Sequence, residues 1–276
     1  MSDGITAQNI VEYLENRDDF DLELFAHREL IARGWPAHHG GTYVDSVTGK
    51  FRQYDVRAIK PFANSTYVSL SVECKSLTQE HPLLVSRVPR SLLDSYHHLT
   101  ACLDDPDVPN AVSFSVKKSG ERLPLYRTDD MVGKAITQVH WDKKAGGGRL
   151  TTSDSETHEK WSQALASTAD NLEGAGTFSG DGAAYTFHMP VLLVSDHTLW
   201  VVDYADDGTR AEPRQEDEAT LFVGREYKCG LEQCLHLTHL HIYTRTGFKA
   251  MLGNLASPTG LLWDRMFGFL FRPEKS

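Results

Sequence analysis

The sequence predicts an α/β chain in which a central mixed β-sheet is flanked by helices. Three features predict it. Residues 53–75 alternate apolar and polar side chains on both sides of a short loop. Residues 6–33 carry apolar side chains at helical spacing, and 156–172 reads as a further helix. The rest interleaves strand and helix signals without an internal repeat or a break in composition, which predicts one elaborated domain over 1–276.

In order along the chain, Ile10, Val11 and Leu14, then Leu22, Phe25, Leu30 and Ile31, mark one or two helices. Asp19 or Asp21 is placed to cap the second, and Gly34 to stop it. Gly40-Gly41 and Thr48-Gly49 bracket a short strand near Tyr43. In the hairpin, even positions are apolar (Tyr54, Val56, Ala58, then Val68, Leu70, Val72, Cys74). Odd positions are polar (Gln53, Asp55, Arg57, then Ser69, Ser71, Glu73, Lys75). This is one buried face and one polar face, and the register puts Asp55, Glu73 and Lys75 on the polar one. Downstream, the expectations are a helix over 89–103, a strand over 111–117, a helix over 129–140 and a polar loop from Gly146. Strands at 190–195, 199–204 and 235–244 and a helix at 248–255 follow, with an acidic turn over 205–218. Leu261 to Phe271 reads as a packed terminal helix, since a bilayer span needs about 20 apolar residues and Asp264 and Arg265 interrupt this one.

Lys and Arg total 28 against 38 Asp and Glu, a formal charge of −10, which argues against a surface that is basic throughout. The start of the chain lacks the basic and apolar pattern of a secretory signal. The cysteines at 74, 102, 229 and 234 are too few to staple this length, so reduced thiols and a cytoplasmic location, away from membranes, are expected.

Asp55 and Glu73 on adjacent strands offer hard oxygen ligands for a divalent cation, and the backbone between them offers a carbonyl. Lys75, two residues from Glu73, is placed to hold a water or offset phosphate charge. The alternative is a solvated hairpin face with a surface salt bridge worth under about 1 kcal/mol. The flanking residues Gly34-Trp35, Thr48-Gly49-Lys50, Arg52 to Val56 and Ser71 to Ser76 extend the pattern. Helix, turn, hairpin Asp and Glu-x-Lys in this order resemble the PD-(D/E)XK, or restriction-endonuclease-like, nuclease superfamily, over about residues 20–80. The resemblance implies a restriction-endonuclease-like core over about 20–140 and a C-terminal α/β extension over about 141–276. It implies a metal-dependent endonuclease that hydrolyses phosphodiester bonds in DNA. By it, Asp55, Glu73 and the Cys74 carbonyl bind Mg²⁺, for which Mn²⁺ can substitute, and Lys75 is the catalytic lysine. Glu23 is either the helix-one glutamate near the metal or an exposed helix carboxylate. Lys134 and Gln138, read at i, i+4 on a helix, either approach the scissile phosphate or lie on a solvated face. Gln53 stands where related sequences often carry Glu, which leaves the choice between one and two metals open. The other reading of the same resemblance is a silent nuclease fold that serves as a binding or assembly subunit.

For a DNA partner, residues 117–149 hold eight basic side chains against four acidic ones, including Lys117, Lys118, Lys143 and Lys144, while 194–220 is acidic. Arg87 and Arg90 would extend the basic edge. A homodimer or a protein partner is compatible with the sequence. Cys229, Cys234, His236, His239 and His241 invite structural Zn²⁺, but strand parity sends His236 to one face and His239 and His241 to the other, which leaves Cys229 and Cys234 with His239 or His241 as the set that geometry allows. Strand-packed histidines and buried thiols are the alternative. Cys74 has the parity of the buried face, which reads as inert core rather than a nucleophile.

Overall fold

The computed structural model describes residues 4–61, 66–102, 112–116, 126, 130–142, 148–153, 155–175, 184–229 and 233–256. Helix α1 (Ala7–Arg17) is capped by Thr6 and α2 (Asp19–Ala32) by Asp18, whose side chain accepts the Phe20 N–H. The expected caps Asp19 and Asp21 therefore lie inside the first turn of α2, where their charge still suits the helix N-terminus. Gly34 adopts φ 71° just past α2, as a helix stop requires. Ile10, Val11 and Leu14 of α1 are exposed, so the expected apolar stripe there is not a core face.

Strands β1 (Ala37–Val44), β2 (Phe51–Pro61) and β3 (Thr66–Lys75) form an antiparallel meander. They are followed by β4 (Leu83–Pro89), a 3₁₀ turn (Leu92–Asp94), β5 (His97–Cys102), β6 (Val112–Val116), β7 (Met131–Asp142) and β8 (Arg149–Thr152). Then come α3 (Ser155–Ala175), β9 (Ala184–Val194), β10 (Leu199–Asp203), β11 (Arg214–Gln215), β12 (Glu218–Cys229), β13 (Gln233–Thr244) and α4 (Arg245–Ala256). The sheet is mixed and runs β1-β2-β3-β9-β13-β12-β7-β4-β10-β11, with β5, β6 and β8 off that path. β3 and β9 run parallel, as do β9 and β13, so Lys75, Val194 and Thr244 end at one edge of the sheet.

Helices cover both faces of this α/β sheet. Leu22, Phe25, Ala26 and Leu30 of α2 and Phe248, Met251, Leu252 and Leu255 of α4 pack on Val68, Leu70, Val72 and Cys74. On the other face, Ala164, Leu165, Ala166 and Ala169 of α3 join residues of β9, β12 and β13. Each buried Leu or Phe of these clusters is worth about 1.5–3 kcal/mol relative to exposure. No helix among the described residues is long and apolar enough to cross a membrane. The segment 261–271 lies outside the described residues.

Two helical expectations are corrected. The described part of 89–103, up to Cys102, holds a 3₁₀ turn and β5, because the β5 backbone is claimed by β6 and β9. Residues 129–140 are largely β7, which pairs with β4 through Leu83↔Gln138 to Pro89↔Met131. The pairing skips Lys134 between Gly133 and Ala135, a β-bulge that breaks the strand's alternation and left its period illegible in the sequence.

Close packing fixes α4. A methyl group on Gly247 would overlap the Asp217 carbonyl oxygen, while Thr244 N–H donates to that same oxygen at 3.0 Å. Gly247→Ala is expected to cost about 1–3 kcal/mol of stability, read as a lowered urea midpoint at unchanged slope. Elsewhere in the sheet, Arg87 and Asp203 are register partners on β4 and β10, joined by bonds of 2.7 and 3.1 Å. These bonds hold the Asp203 carboxyl below the usual range against the opposing effect of burial, with Arg214 adding to the shift. Its folded-state pKa is depressed, so the contribution is present above the unfolded value of about 3.9 and is lost as pH falls through the folded one. Asp203→Asn should thus be less stable than the parent at pH 7, with the gap closing as pH approaches 3 in urea titrations.

Candidate active site

The site forms where two strands part. β2 and β3 pair from Pro61↔Tyr67 to Val56↔Val72, after which β2 stays on β1 as far as Phe51 and β3 stays on β9 as far as Lys75. Asp55 enters the opening and its Oδ2 accepts the Cys74 N–H at 2.7 Å, taking the donor a ladder partner would have used. An extended residue presents N–H and C=O to the same edge, so the Cys74 carbonyl also faces β2. The site thus lies at the carboxyl ends of the parallel strands β3 and β9, the usual place for a ligand crevice in such sheets.

Glu73 lies beside Asp55 with its side chain 1% exposed, and neither carboxylate oxygen has a hydrogen-bond partner. Burial first, then the Asp55 charge, pushes its pKa well above the ordinary carboxylate range. The face that the alternation marks as polar is therefore not solvated. Helix α3 covers it with a polar stripe of its own: Arg57 donates to Ser167 at 2.9 Å and to Asp170 at 2.7 Å, and Asn171 donates to Ser69 at 2.9 Å. The same helix brings Lys160, whose Nζ lies 3.1 Å from Asp55 Oδ2 and 3.9 Å from both Glu73 Oε2 and Asp19 Oδ2. Burial opposes its charge, but these three carboxylates outweigh that and hold the ammonium protonated.

Helix α2 closes the site. Asp19 Oδ1 accepts the Ser76 N–H at 2.5 Å; burial raises its pKa, offset in part by that bond, by Lys160 and by Lys75. Glu23 is half-buried and bonded to His39 Nε2 at 2.9 Å, and burial followed by the nearby Asp55 charge raises its pKa. Glu23 is thus a half-buried carboxylate that senses the Asp55 charge, and not an exposed helix residue. Lys75 is half-buried and lines a cleft of about 380 Å³ with Asp19, Ser76, His81, Gln138 and His140.

Asp55 and Glu73 are brought together about Lys160, Glu23 lies on His39 within reach of the Asp55 charge, and Lys75 and Gln138 line the adjoining cleft. Lys134 does not: the bulge turns it to Asp94, at 2.8 Å, and its ammonium sits 4.8 Å from the centre of the Phe222 ring. Arg87 is tied to Asp203, and Arg90 is buried with NH1 2.7 Å from both the Asp94 carbonyl and His239, so neither extends a basic edge. Lys117, Lys118, Lys143 and Lys144 lie outside the described residues. Cys74 is fully buried and its thiol pKa is pushed up by burial and then by Asp55 and Glu73. His239 contacts the Asp94 carbonyl and Thr238, and His241 contacts Tyr126.

Two members went unseen in the sequence. Asp19 was read only as a cap. Lys160 had one signal, the spacing of Lys160, Ser167, Asp170 and Asn171 along a single helix stripe, but such a stripe ordinarily marks a solvent face. Both carboxylates suit a hard cation: Glu73 has two orphaned oxygens, and Asp55 and the Cys74 carbonyl converge on the same opening. Among the described residues, no three His, Cys, Asp or Glu side chains form a metal-holding group. Comparison with protein-family models, curated proteins and solved structures finds no match to this chain.

Proposed function

We propose that this chain is a metal-dependent endonuclease with a restriction-endonuclease-like core, cleaving phosphodiester bonds in DNA. The observation that carries the reading is Glu73, a buried carboxylate without hydrogen-bond partners, set beside Asp55 where β2 and β3 part. A carboxylate buried this way is costly unless something positive completes it. The order of elements supports the same reading: a helix, a hairpin carrying Asp and Glu-x-Lys, and a strand (β9) added parallel to the second hairpin strand. Asp55, Glu73 and the Cys74 carbonyl would hold Mg²⁺, or Mn²⁺ in its place. When bound, the ion supplies Lewis-acid polarisation of the phosphate and lowers the pKa of an attacking water. Lys75 presents an ammonium to the cleft, where it offsets charge gathering on a phosphate oxygen and orients the water. Gln138, whose Nε2 donates to the His81 carbonyl at 3.2 Å, lines the same cleft and is placed to position a phosphate. Glu23 and Asp19 add carboxylates near Asp55, which favours a cation there.

The second reading is a silent nuclease fold that serves as a binding or assembly subunit. It is favoured by Lys160, which already neutralises Asp55 in the way a retired site would be neutralised. Calorimetric titration with MgCl₂, run beside cleavage of supercoiled, linear and single-stranded DNA in Mg²⁺, Mn²⁺ or EDTA, separates the two. The nuclease reading expects Mg²⁺ binding that Asp55→Asn removes, together with metal-dependent cutting. Neither binding nor cutting would leave the scaffold.

A further inference from the structure

Lys160 has no counterpart in the Asp and Glu-x-Lys pattern, yet its ammonium faces three carboxylates from α2, β2 and β3 at 3.1 to 3.9 Å. Resting on the metal reading above, we propose that Lys160 is a tethered stand-in cation. It holds Asp55 and Glu73 together until a divalent ion displaces it.

Three features argue for a group built to leave. First, its bonding is incomplete. It makes one hydrogen bond, to Asp55 Oδ2, and only long ion pairs to Glu73 and Asp19, so both Glu73 oxygens stay without a hydrogen-bond partner. A lysine selected solely to neutralise the pair would satisfy Glu73 directly. Second, the helix that carries it is anchored elsewhere. Arg57 grips Ser167 and Asp170, and Asn171 bonds Ser69, so withdrawal of one side chain leaves α3 in place. Third, Lys160 has a way out. Its side chain is 21% exposed, against 1% for Glu73, and lysine is a flexible stem bearing a point charge. Arginine would fork across the carboxylates and resist displacement. The division of labour follows from position: Lys75 lines the open cleft, while Lys160 occupies the carboxylate gap. Lys160 is accordingly a positioning residue, and its effect is read in ion binding.

The test uses the full chain and MgCl₂. Titration calorimetry on the parent, Lys160→Met and Lys160→Arg is expected to give Mg²⁺ affinity at least tenfold higher for Lys160→Met, where no ammonium competes. Lys160→Arg, which retains the charge, should bind no tighter than the parent. A second readout needs no variant at position 160: limited acetylation of the parent followed by mass spectrometry, with and without saturating Mg²⁺. Modification of Lys160 should rise severalfold with Mg²⁺, and this rise should vanish in Asp55→Asn. If the parent binds Mg²⁺ at Asp55 but Lys160→Met binds equally or more weakly, or Mg²⁺ leaves the acetylation of Lys160 unchanged, the stand-in role is overturned and the nuclease reading survives. If neither parent nor Lys160→Met binds Mg²⁺, both fall together.

Discussion

Under the proposed nuclease activity, Asp55→Asn and Glu73→Gln are each expected to lower metal-dependent DNA cleavage by about a thousandfold or more. A catalytic metal supplies several kcal/mol of transition-state stabilisation, and each 1.36 kcal/mol is a factor of ten in rate, so about 4 kcal/mol gives three orders of magnitude. The two variants differ in stability, which separates a lost ligand from a lost fold. Asp55 accepts the Cys74 N–H and the Lys160 ammonium, and an amide in its place weakens both contacts. Glu73 is a buried carboxyl whose charged form is disfavoured by burial and by Asp55, so Glu73→Gln should unfold at the same urea concentration as the parent or a higher one. Lys75→Ala is expected to cut about a hundredfold more slowly while binding Mg²⁺ normally, because Lys75 lines the cleft and is not among the ligands. Single-turnover cleavage rates beside calorimetric Mg²⁺ titrations check all three. Full cleavage by Lys75→Ala would remove it from the mechanism.

Arg57→Ala is the substitution expected to do most harm to the fold. The Arg57 side chain is 11% exposed; it donates to Ser167 and Asp170 of α3 and lies over the Tyr54 ring with its guanidinium 4.2 Å from the ring centre. Bonds to charged groups are worth about 1.5–3 kcal/mol each, and the partners on α3 would be left facing a covered surface. A loss of about 3 kcal/mol follows, which lowers the thermal midpoint by roughly 6–12 °C for a chain of this size. Arg57→Lys should recover little, since a single ammonium cannot bridge Ser167 and Asp170 while stacking on Tyr54. Differential scanning calorimetry reads both variants. A midpoint within a degree or two of the parent would mean that α3 is held by its apolar residues alone.

The two substitutions sit on opposite sides of what the sequence could disclose. Alternation over 53–58 and 68–75 determined the hairpin, its apolar face and the placement of Asp55 and Glu73 together on the other face, because strand parity is a local property with a fixed period. The helices at α2, α3 and α4 and the strands β6, β10 and β13 were legible for the same reason, their signals being carried by neighbours in sequence. β7 was not, since the bulge at Lys134 shifts the parity midway and only the pairing with β4 defines it. β4 and β12 were not read from the sequence; both are interior strands of the sheet with neighbours on either side.

The character of the site was a tertiary decision. An alternating strand reads as half-solvated, and nothing local says that its polar face will meet the polar stripe of a helix. Lys160 reaches Asp55 across 105 residues of chain, and Asp19 reaches Ser76 across 57. Contacts at such separation follow from how layers stack and leave no periodic trace. Sequence alone therefore put Asp55 and Glu73 on one face of the hairpin. Only the folded layers decided that they are buried, that a lysine from α3 stands between them, and that the Glu-x-Lys lysine opens onto the neighbouring cleft.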